Sequence, residues 1–212
     1  MNRIQKIGLL AASAALATSA SLDAATPKSW EVKIRAAYLE TADDSDAFSA
    51  LGIDFPADAV AVEDKWIPEI DVTYAFTQNV LAELVLTVPQ KHDVTLAGVG
   101  KLGTLEHLPP TLSLVYEFTN ESGFTPYVSG GVNFTWITNK RLSVAGVGLD
   151  LEDYSAGLAL GAGFRYDLGE KWDLDGSVKW IDLESDVTAG GARLTTAKLD
   201  PLLWSFGASY RF

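Results

Sequence analysis

The chain has 212 residues, of which 48% are hydrophobic, and its 28 Asp and Glu against 16 Lys and Arg give a net charge of −12. This acidic balance argues against a nucleic-acid partner, because binding to phosphates needs a positive face. The sequence has no cysteine, which excludes a disulfide framework, and its length suits one domain.

The N-terminal segment has the three parts of a secretory signal peptide. Arg3 and Lys6 are basic, an apolar run follows them, and small residues lead up to Ala20. The apolar run is too short for a membrane-spanning helix, which needs about 20 apolar residues. We therefore predict a signal peptide at 1–20, with cleavage after Ala20 or as late as Ala25, and export from the cytoplasm.

Strict alternation of apolar and polar residues recurs eight times in the remainder of the chain. Such alternation is typical of a strand with one apolar face. In chain order the predicted strands cover 30–39, 65–76, 83–88, 111–118, 128–136, 154–168, 172–180 and 204–212. The last is the clearest, because four aromatic residues, Trp204, Phe206, Tyr210 and Phe212, share one face with Ala208. If these strands cross a membrane they must form a closed barrel, since an open edge leaves unpaired backbone groups in lipid.

The connections between the predicted strands alternate in length. The short ones cover 77–79, 119–125 and 169–171, and the long ones cover 40–64, 90–106, 137–153 and 182–198. Short periplasmic turns, long extracellular loops and an even strand number are typical of outer-membrane barrels with both termini in the periplasm. Gly98, Gly146 and Gly190 indicate hairpin tips above the membrane, and we interpret 45–51 as a short helix.

Outward-facing aromatic residues fall into two bands, one near each end of the strands, as expected when the outer face contacts lipid. We therefore predict an all-β fold for residues 21–212: an eight-stranded antiparallel transmembrane β-barrel in the outer membrane of a Gram-negative bacterium. The alternative is a soluble eight-stranded barrel such as a lipocalin, which buries its apolar face inward.

Three motifs are similar to those of the OmpW family of outer-membrane proteins. They are LPPTL at 108–112 with YEF at 116–118, PYVSGGVNFT at 126–135, and DP at 200–201 with Gly207 and YRF at 210–212. Two departures are Ser129, where the family has Gly, and Glu117, where it often has His. The resemblance implies an outer-membrane barrel that admits small hydrophobic compounds.

Charged residues line the lower half of the predicted lumen. Both signs are present, so these side chains can pair and close the floor, or serve simply as a structural salt-bridge core. They are Glu31, Lys33, Arg35, Asp71, Glu83, Glu117, Arg165, Asp167, Asp173, Asp175, Lys179 and Arg211.

Apolar residues face inward near the outer end of the predicted lumen. They are Leu39, Ile67, Ile137, Ile181, Leu183 and Leu203. An apolar pocket with few polar groups binds small apolar molecules; the alternative is a packed cap that only excludes water. We therefore predict a channel for passive uptake of small hydrophobic molecules, and a structural or adhesive barrel without transport as the alternative.

Four prolines lie in the outer halves of predicted strands, where each removes a ladder donor. They are Pro68, Pro109, Pro110 and Pro201. A closed barrel has no edge strand, so each proline marks a weakened position in the wall. The prediction is a lateral exit into lipid at these positions; the alternative is that the prolines only end or bend strands.

We predict no catalytic site, metal or cofactor. His92 and His107 lie in or beside the second long loop and are interpreted as loop residues, and Ser113 lies ~20 Å along the strand from His107, too far for an activated nucleophile. The expected partners are outer-membrane lipid and lipopolysaccharide, small hydrophobic solutes and the barrel-assembly machinery. The last is implied by Tyr210 and Phe212, which resemble the assembly signal of bacterial outer-membrane proteins.

Overall fold

The computed structural model describes residues 29–42, 44–50 and 52–212. The predicted signal peptide and both of its cleavage positions lie outside these residues. Within them, regular structure consists of β-strands. No helix in this part of the chain is long and apolar enough to cross a membrane.

Seventeen strands make up the described chain, and eight of them form the barrel wall. In chain order they are β1 (Ser29–Glu40), β2 (Asp44–Ser45), β3 (Phe48–Ala50), β4 (Ile53–Phe55), β5 (Val60–Val62), β6 (Lys65–Ala75), β7 (Val80–Thr87), β8 (Gln90–Leu96), β9 (Gly100–Leu108), β10 (Thr111–Glu117), β11 (Phe124–Val144), β12 (Val147–Leu151), β13 (Tyr154–Gly169), β14 (Trp172–Ile181), β15 (Glu184–Ala189), β16 (Ala192–Lys198) and β17 (Leu202–Arg211). The wall follows the order β1, β6, β7, β10, β11, β13, β14, β17, every pair is antiparallel, and β17 pairs again with β1. The predicted closed eight-stranded antiparallel barrel is therefore confirmed.

Alternation along each wall strand separates an apolar outer face from a polar lower lumen. Ile34 of β1 pairs with Ala208 of β17 and with Ile70 of β6, so apolar residues line up across neighbouring strands. Ile34 is 68% exposed and Leu114 is 61% exposed. Apolar side chains with such exposure are expected on the lipid-facing surface of a membrane barrel and not in the core of a soluble protein.

The aromatic residues of the outer face form cross-strand pairs near both ends of the wall. At the end of the wall where β1 begins and β17 ends, the Trp30 and Tyr74 rings are 4.8 Å apart. Near the opposite end, the Tyr38 and Trp66 rings are 5.3 Å apart. Aromatic bands at two levels bracket the part of the wall that crosses the membrane.

The four long connections form a second tier of strands above the barrel, which corrects their prediction as loops. Its strands follow the order β5, β8, β9, the upper part of β11, β12, β15, β16 and β2. Each connection carries a short apolar alternation, such as Val94 and Leu96 of β8, and the apolar sides of all of them pack together inside the tier. These runs are brief and interrupted by glycine and charged residues, so the sequence signal for each strand is weak.

The predicted helix at 45–51 is wrong. Ser45 ends β2, and Phe48 begins β3, which forms a small separate hairpin with β4. The rings of Phe48 and Phe55 stack at 5.0 Å across that hairpin, so tertiary packing outweighs the local helix preference. The three predicted hairpin tips agree with the structure, because Gly98, Gly146 and Gly190 each have a positive φ between two paired strands.

Candidate functional site

The floor of the lumen is built around Arg35, whose guanidinium contacts three carboxylates. It forms ion pairs with Asp71 at 2.5 Å, Glu69 at 2.7 Å and Asp175 at 2.7 Å. These four side chains are at most 1% exposed. Strand register places Arg35, Glu69 and Asp175 at one level, because Arg35 pairs with Glu69 of β6 and with Gly207 of β17, which in turn pairs with Asp175 of β14. Asp71 lies two residues farther along β6, opposite Lys33.

Two lysines extend this network across the barrel. Lys33 Nζ donates to Glu83 at 2.9 Å and to Asp175 at 3.1 Å, and Lys179 Nζ donates to the other oxygen of Glu83 at 3.1 Å. The hydroxyl of Tyr127 donates to Asp175 at 3.1 Å, and Lys33 Nζ lies 5.0 Å from the centre of its ring. Strands on opposite sides of the wall are thereby joined through the lumen.

A second ring of charges lies closer to the end of the wall where β1 begins and β17 ends. Arg165 contacts Glu31 at 3.1 Å and Glu117 at 2.7 Å, and Arg211 contacts Asp173 at 3.0 Å. The structure thus brings together the ten main residues of the predicted floor: Glu31, Lys33, Arg35, Asp71, Glu83, Glu117, Arg165, Asp175, Lys179 and Arg211. Asp173 joins them, whereas Asp167 is exposed and its nearest cation is 3.9 Å away.

The floor prediction missed Glu69 and Tyr127. Glu69 lies two residues from Asp71 on the same inward face of β6, so the period of two indicates its place. Tyr127 lies outside the predicted fifth strand, which begins at Val128, whereas the structure begins β11 at Phe124.

An apolar layer lies directly above the floor. It contains five of the six predicted apolar lumen residues, each at most 4% exposed, packed with Ala37 and Ala159: Leu39, Ile67, Ile181, Leu183 and Leu203. The sixth, Ile137, is buried in the upper tier instead, because β11 continues beyond the barrel to Val144. Part of this layer borders a small cavity of about 10 Å³, the lower pocket, lined by Leu39, Thr41, Val62, His92, His107, Pro109, Asn133, Ile181, Leu183, Leu199, Pro201 and Leu203.

The upper tier encloses a larger cavity of about 50 Å³, which we call the upper chamber. Its lining side chains are apolar except Thr195, and they include Phe48, Phe55, Val62, Leu96, Leu105 and Leu199. Val62 and Leu199 border both cavities. The interior therefore changes from ion-paired at the floor to mostly apolar in the upper chamber.

The wall has a break in its ladder between the barrel and the upper tier. The register of β7 with β10 ends at Val85 and Thr111, and that of β8 with β9 begins at Gln90 and His107. Between these points the two segments share no register. We call them the seam: residues 86–89 and residues 108–110.

Three of the four predicted seam prolines surround this break. Pro109 and Pro110 form one side of the seam, and Pro68 lies where the register of β6 with β7 ends. Pro201 does not adjoin a break: its carbonyl accepts a hydrogen bond from the Ile181 amide at 3.1 Å, on another side of the wall. Pro201 directly precedes β17, which begins at Leu202.

The prediction that the two histidines are ordinary loop residues is wrong. His92 is 0% exposed and His107 is 4% exposed, and their rings stack with centres 4.6 Å apart and an interplanar angle of 16°. They meet because β8 and β9 pair as a hairpin with Gln90 opposite His107. Their sequence separation gave no signal for this contact, since the hairpin register was not predicted.

The model of the OmpW family matches residues 28–212. The chain belongs to the OmpW family. It is 34% identical over 188 residues to an uncharacterized outer-membrane protein, y4mB, of Sinorhizobium fredii, covering 86% of this chain and 80% of that protein. It is 32% identical over 152 residues to outer membrane protein W of Vibrio cholerae, covering 66% of this chain and 70% of that protein.

A solved structure agrees with this assignment. The crystal structure of the outer membrane protein OprG from Pseudomonas aeruginosa superposes with a TM-score of 0.75 at 27% identity, covering 87% of this chain and 96% of that one. This chain is thus an OmpW-type β-barrel of the Gram-negative outer membrane, and the resemblance predicted from its motifs is confirmed.

Proposed function

We propose that this OmpW-family barrel is a channel for the passive uptake of small hydrophobic molecules, which enter the upper chamber from outside and leave through the seam into lipid. The observation that carries the proposal is the division of the interior into an apolar upper part and a charged floor. The two parts favour different fates for an apolar solute.

The upper chamber supports entry of an apolar solute. Transfer of apolar surface from water into such a chamber is favourable by about 25 cal/mol per Å². A merely structural barrel has no need of a cavity of about 50 Å³, because each unfilled volume in an apolar core costs stability.

The charged floor supports an exit through the wall instead of passage along the barrel axis. An apolar solute that displaced Arg35 from its carboxylates would leave buried charges unpaired, at a cost of several kcal/mol per ion. An eight-stranded barrel also has just enough interior for its own side chains. Direct passage to the periplasm is therefore disfavoured.

The seam supports a lateral route. Residues 86–89 and 108–110 share no register, so opening there breaks fewer ladder hydrogen bonds than opening between two strands that are continuously paired. Pro109 lines the lower pocket, so the seam borders the cavity that a descending solute would reach, which supports the proposed exit.

Uptake is tested with N-phenyl-1-naphthylamine, a dye that fluoresces in apolar surroundings, added to cells whose lipopolysaccharide layer slows its entry. Wild-type protein should speed the fluorescence rise, and Leu203→Asp should abolish the increase because it puts a charge in the apolar layer. Leu203→Met, which keeps volume and polarity, is the matched control. Equal uptake by wild type and Leu203→Asp would favour the structural or adhesive alternative.

The exit is tested by a disulfide, which the cysteine-free chain permits without background. Leu86→Cys with Pro110→Cys links the positions next beyond the last ladder pair of β7 and β10. The control, Leu84→Cys with Leu112→Cys, links an existing ladder pair on the lipid side. Oxidation should stop uptake in the first variant alone, and reductant should restore it; full oxidation with unchanged uptake would refute the lateral exit.

We also propose that both termini lie in the periplasm and that Tyr210 and Phe212 are read by the assembly machinery. The three turns at the end of the wall nearer the termini are short, as in periplasmic turns. Phe212 is 67% exposed beside Tyr210, so it contributes little packing. Phe212→Ser should lower the fraction found in the outer membrane while protein refolded in detergent stays as stable as wild type.

A further inference from the structure

The stacked histidines lie beside the lower pocket, and the uptake route proposed above does not use them. Both line the lower pocket, whose other side chains are mostly apolar. The two cavities share Val62 and Leu199 as a common wall. A solute that moves from the upper chamber towards the seam therefore passes the two imidazole rings.

The hydrogen bonding of His92 identifies what it can still bind. Its Nδ1 lies 2.9 Å from the carbonyl oxygen of Glu63, and a carbonyl can only accept, so Nδ1 carries the proton. In a neutral imidazole the other nitrogen, Nε2, is then an acceptor without a proton. This atom is buried and has no hydrogen-bond partner among the described residues. Nδ1 of His107 is also buried and without a hydrogen-bond partner among them.

Both rings are neutral at physiological pH. They lie above the membrane-crossing part of the wall, since His107 precedes Leu108, which pairs with Trp136 of the upper aromatic band. Burial lowers the pKa of His92, and burial followed by the nearby His92 and Lys65 lowers the pKa of His107 to about 3. His92 therefore offers an acceptor and no charge.

The sizes of the two cavities indicate the shape of a matching ligand. The lower pocket, at about 10 Å³, suits a group the size of one water molecule. The upper chamber, at about 50 Å³ and apolar, suits a hydrocarbon chain. A small hydrogen-bond donor at the end of an apolar chain fits both.

We propose that the lower pocket is a subsite for the hydroxyl group of an otherwise apolar alcohol, whose chain lies in the upper chamber. The hydroxyl donates a hydrogen bond to Nε2 of His92. Its oxygen accepts a hydrogen bond from Nδ1 of His107 in the tautomer that carries a proton on that nitrogen. An alkane, an ether or a carboxylate has no proton to donate to His92. The inference rests on the proposed uptake function and names the substrate class for it.

The first test observes the two rings directly. The chain has two histidines in all, so untagged protein labelled with ¹⁵N-histidine gives imidazole signals from His92 and His107 alone. In lipid nanodiscs, 1-octanol should shift the His92 Nε2 signal in a saturable way. Its isomer heptyl methyl ether, octane and octanoate should not. No shift with 1-octanol, or an equal shift with any of the other three, would overturn the proposal.

The second test measures selectivity of uptake by cells supplied with radiolabelled 1-octanol or heptyl methyl ether. His92→Phe keeps an aromatic ring to stack on His107 but removes the acceptor. The alcohol-to-ether ratio of initial rates should fall roughly 2–10-fold, the effect of one hydrogen bond. Tyr154→Phe, which removes a polar atom from the outer face, is the control and should leave the ratio unchanged.

The two proposals fail in different ways. If wild-type protein speeds uptake of both probes but His92→Phe leaves their ratio unchanged and 1-octanol causes no shift, the subsite is refuted and the uptake function stands. If 1-octanol shifts the Nε2 signal but no probe enters faster, the subsite stands and the uptake function is refuted.

Discussion

Replacing Arg35 with Met should destabilise the barrel by about 3–5 kcal/mol, the usual cost of removing one partner of a buried ion pair. Arg35 contacts three carboxylates at 2.5–2.7 Å, each at most 1% exposed. At an effective dielectric constant of ~20, one pair of charges ~4 Å apart is worth about 4 kcal/mol. Desolvation and repulsion among the carboxylates offset much of the gross sum, but removing the cation leaves the repulsion in place.

Urea unfolding from lipid vesicles, followed by tryptophan fluorescence, measures this change. The matched control is Lys101→Met, which removes an ion pair with Asp93 whose side chains are 54% and 41% exposed, and it should cost at most about 1 kcal/mol. Adding Asp71→Asn to Arg35→Met should recover about 0.5–3 kcal/mol, because neighbouring sites couple. Equal effects of the two single methionine variants would refute the view that the floor is a desolvated network.

Three further predictions concern the wall and the histidines. Gly207→Ala should prevent correct folding, because a Cβ there would lie 2.1 Å from the carbonyl oxygen of Ile34; a gel-mobility assay checks this, with Gly148→Ala, which has open space, as control. Leu114→Arg should cost about 2–4 kcal/mol in urea unfolding, since it places a charge in the lipid-facing belt, and a cost below about 1 kcal/mol would place that position outside the membrane. In the folded protein, burial lowers the pKa of His107 from its usual 6.5 to about 3. Its contribution to the free energy of unfolding is therefore complete above about pH 6.5 and is lost as the pH falls. His107→Phe should reduce the loss of thermal stability between pH 7.5 and pH 5.

The barrel and its floor could be predicted because a strand has a period of two. Once Ile34 and Leu114 are assigned to lipid, the facing direction of every neighbour on the same strand follows. This is why Arg35 and Asp175, 140 residues apart, were both expected at the floor. The pairing of each carboxylate with its cation depends on barrel register and rotamers. These individual contacts therefore could not be predicted from the sequence.

The upper tier and the histidine pair could not be predicted for a related reason. Its strands are short, and their apolar residues become a core only when four separate connections fold together. The stacking of His92 on His107 needs the register of β8 with β9, which a sequence read without hairpin geometry leaves open. Ile137 was misplaced because β11 runs through both tiers, and alternation alone gives a residue's face but not its height.

Strand β7 brings the barrier and the proposed exit together. Glu83, which holds both Lys33 and Lys179, faces the lumen two residues below Val85, the last residue paired with β10. An apolar solute that descends along β7 therefore meets the charged floor at nearly the height where the wall ladder stops. Both features of this strand support the proposed lateral exit, since the floor would raise the cost of further descent and the unpaired seam would lower the cost of leaving. Substitution of Glu83 should thus affect ion leakage, whereas the disulfide across the seam should affect solute uptake, and the two effects should be separable.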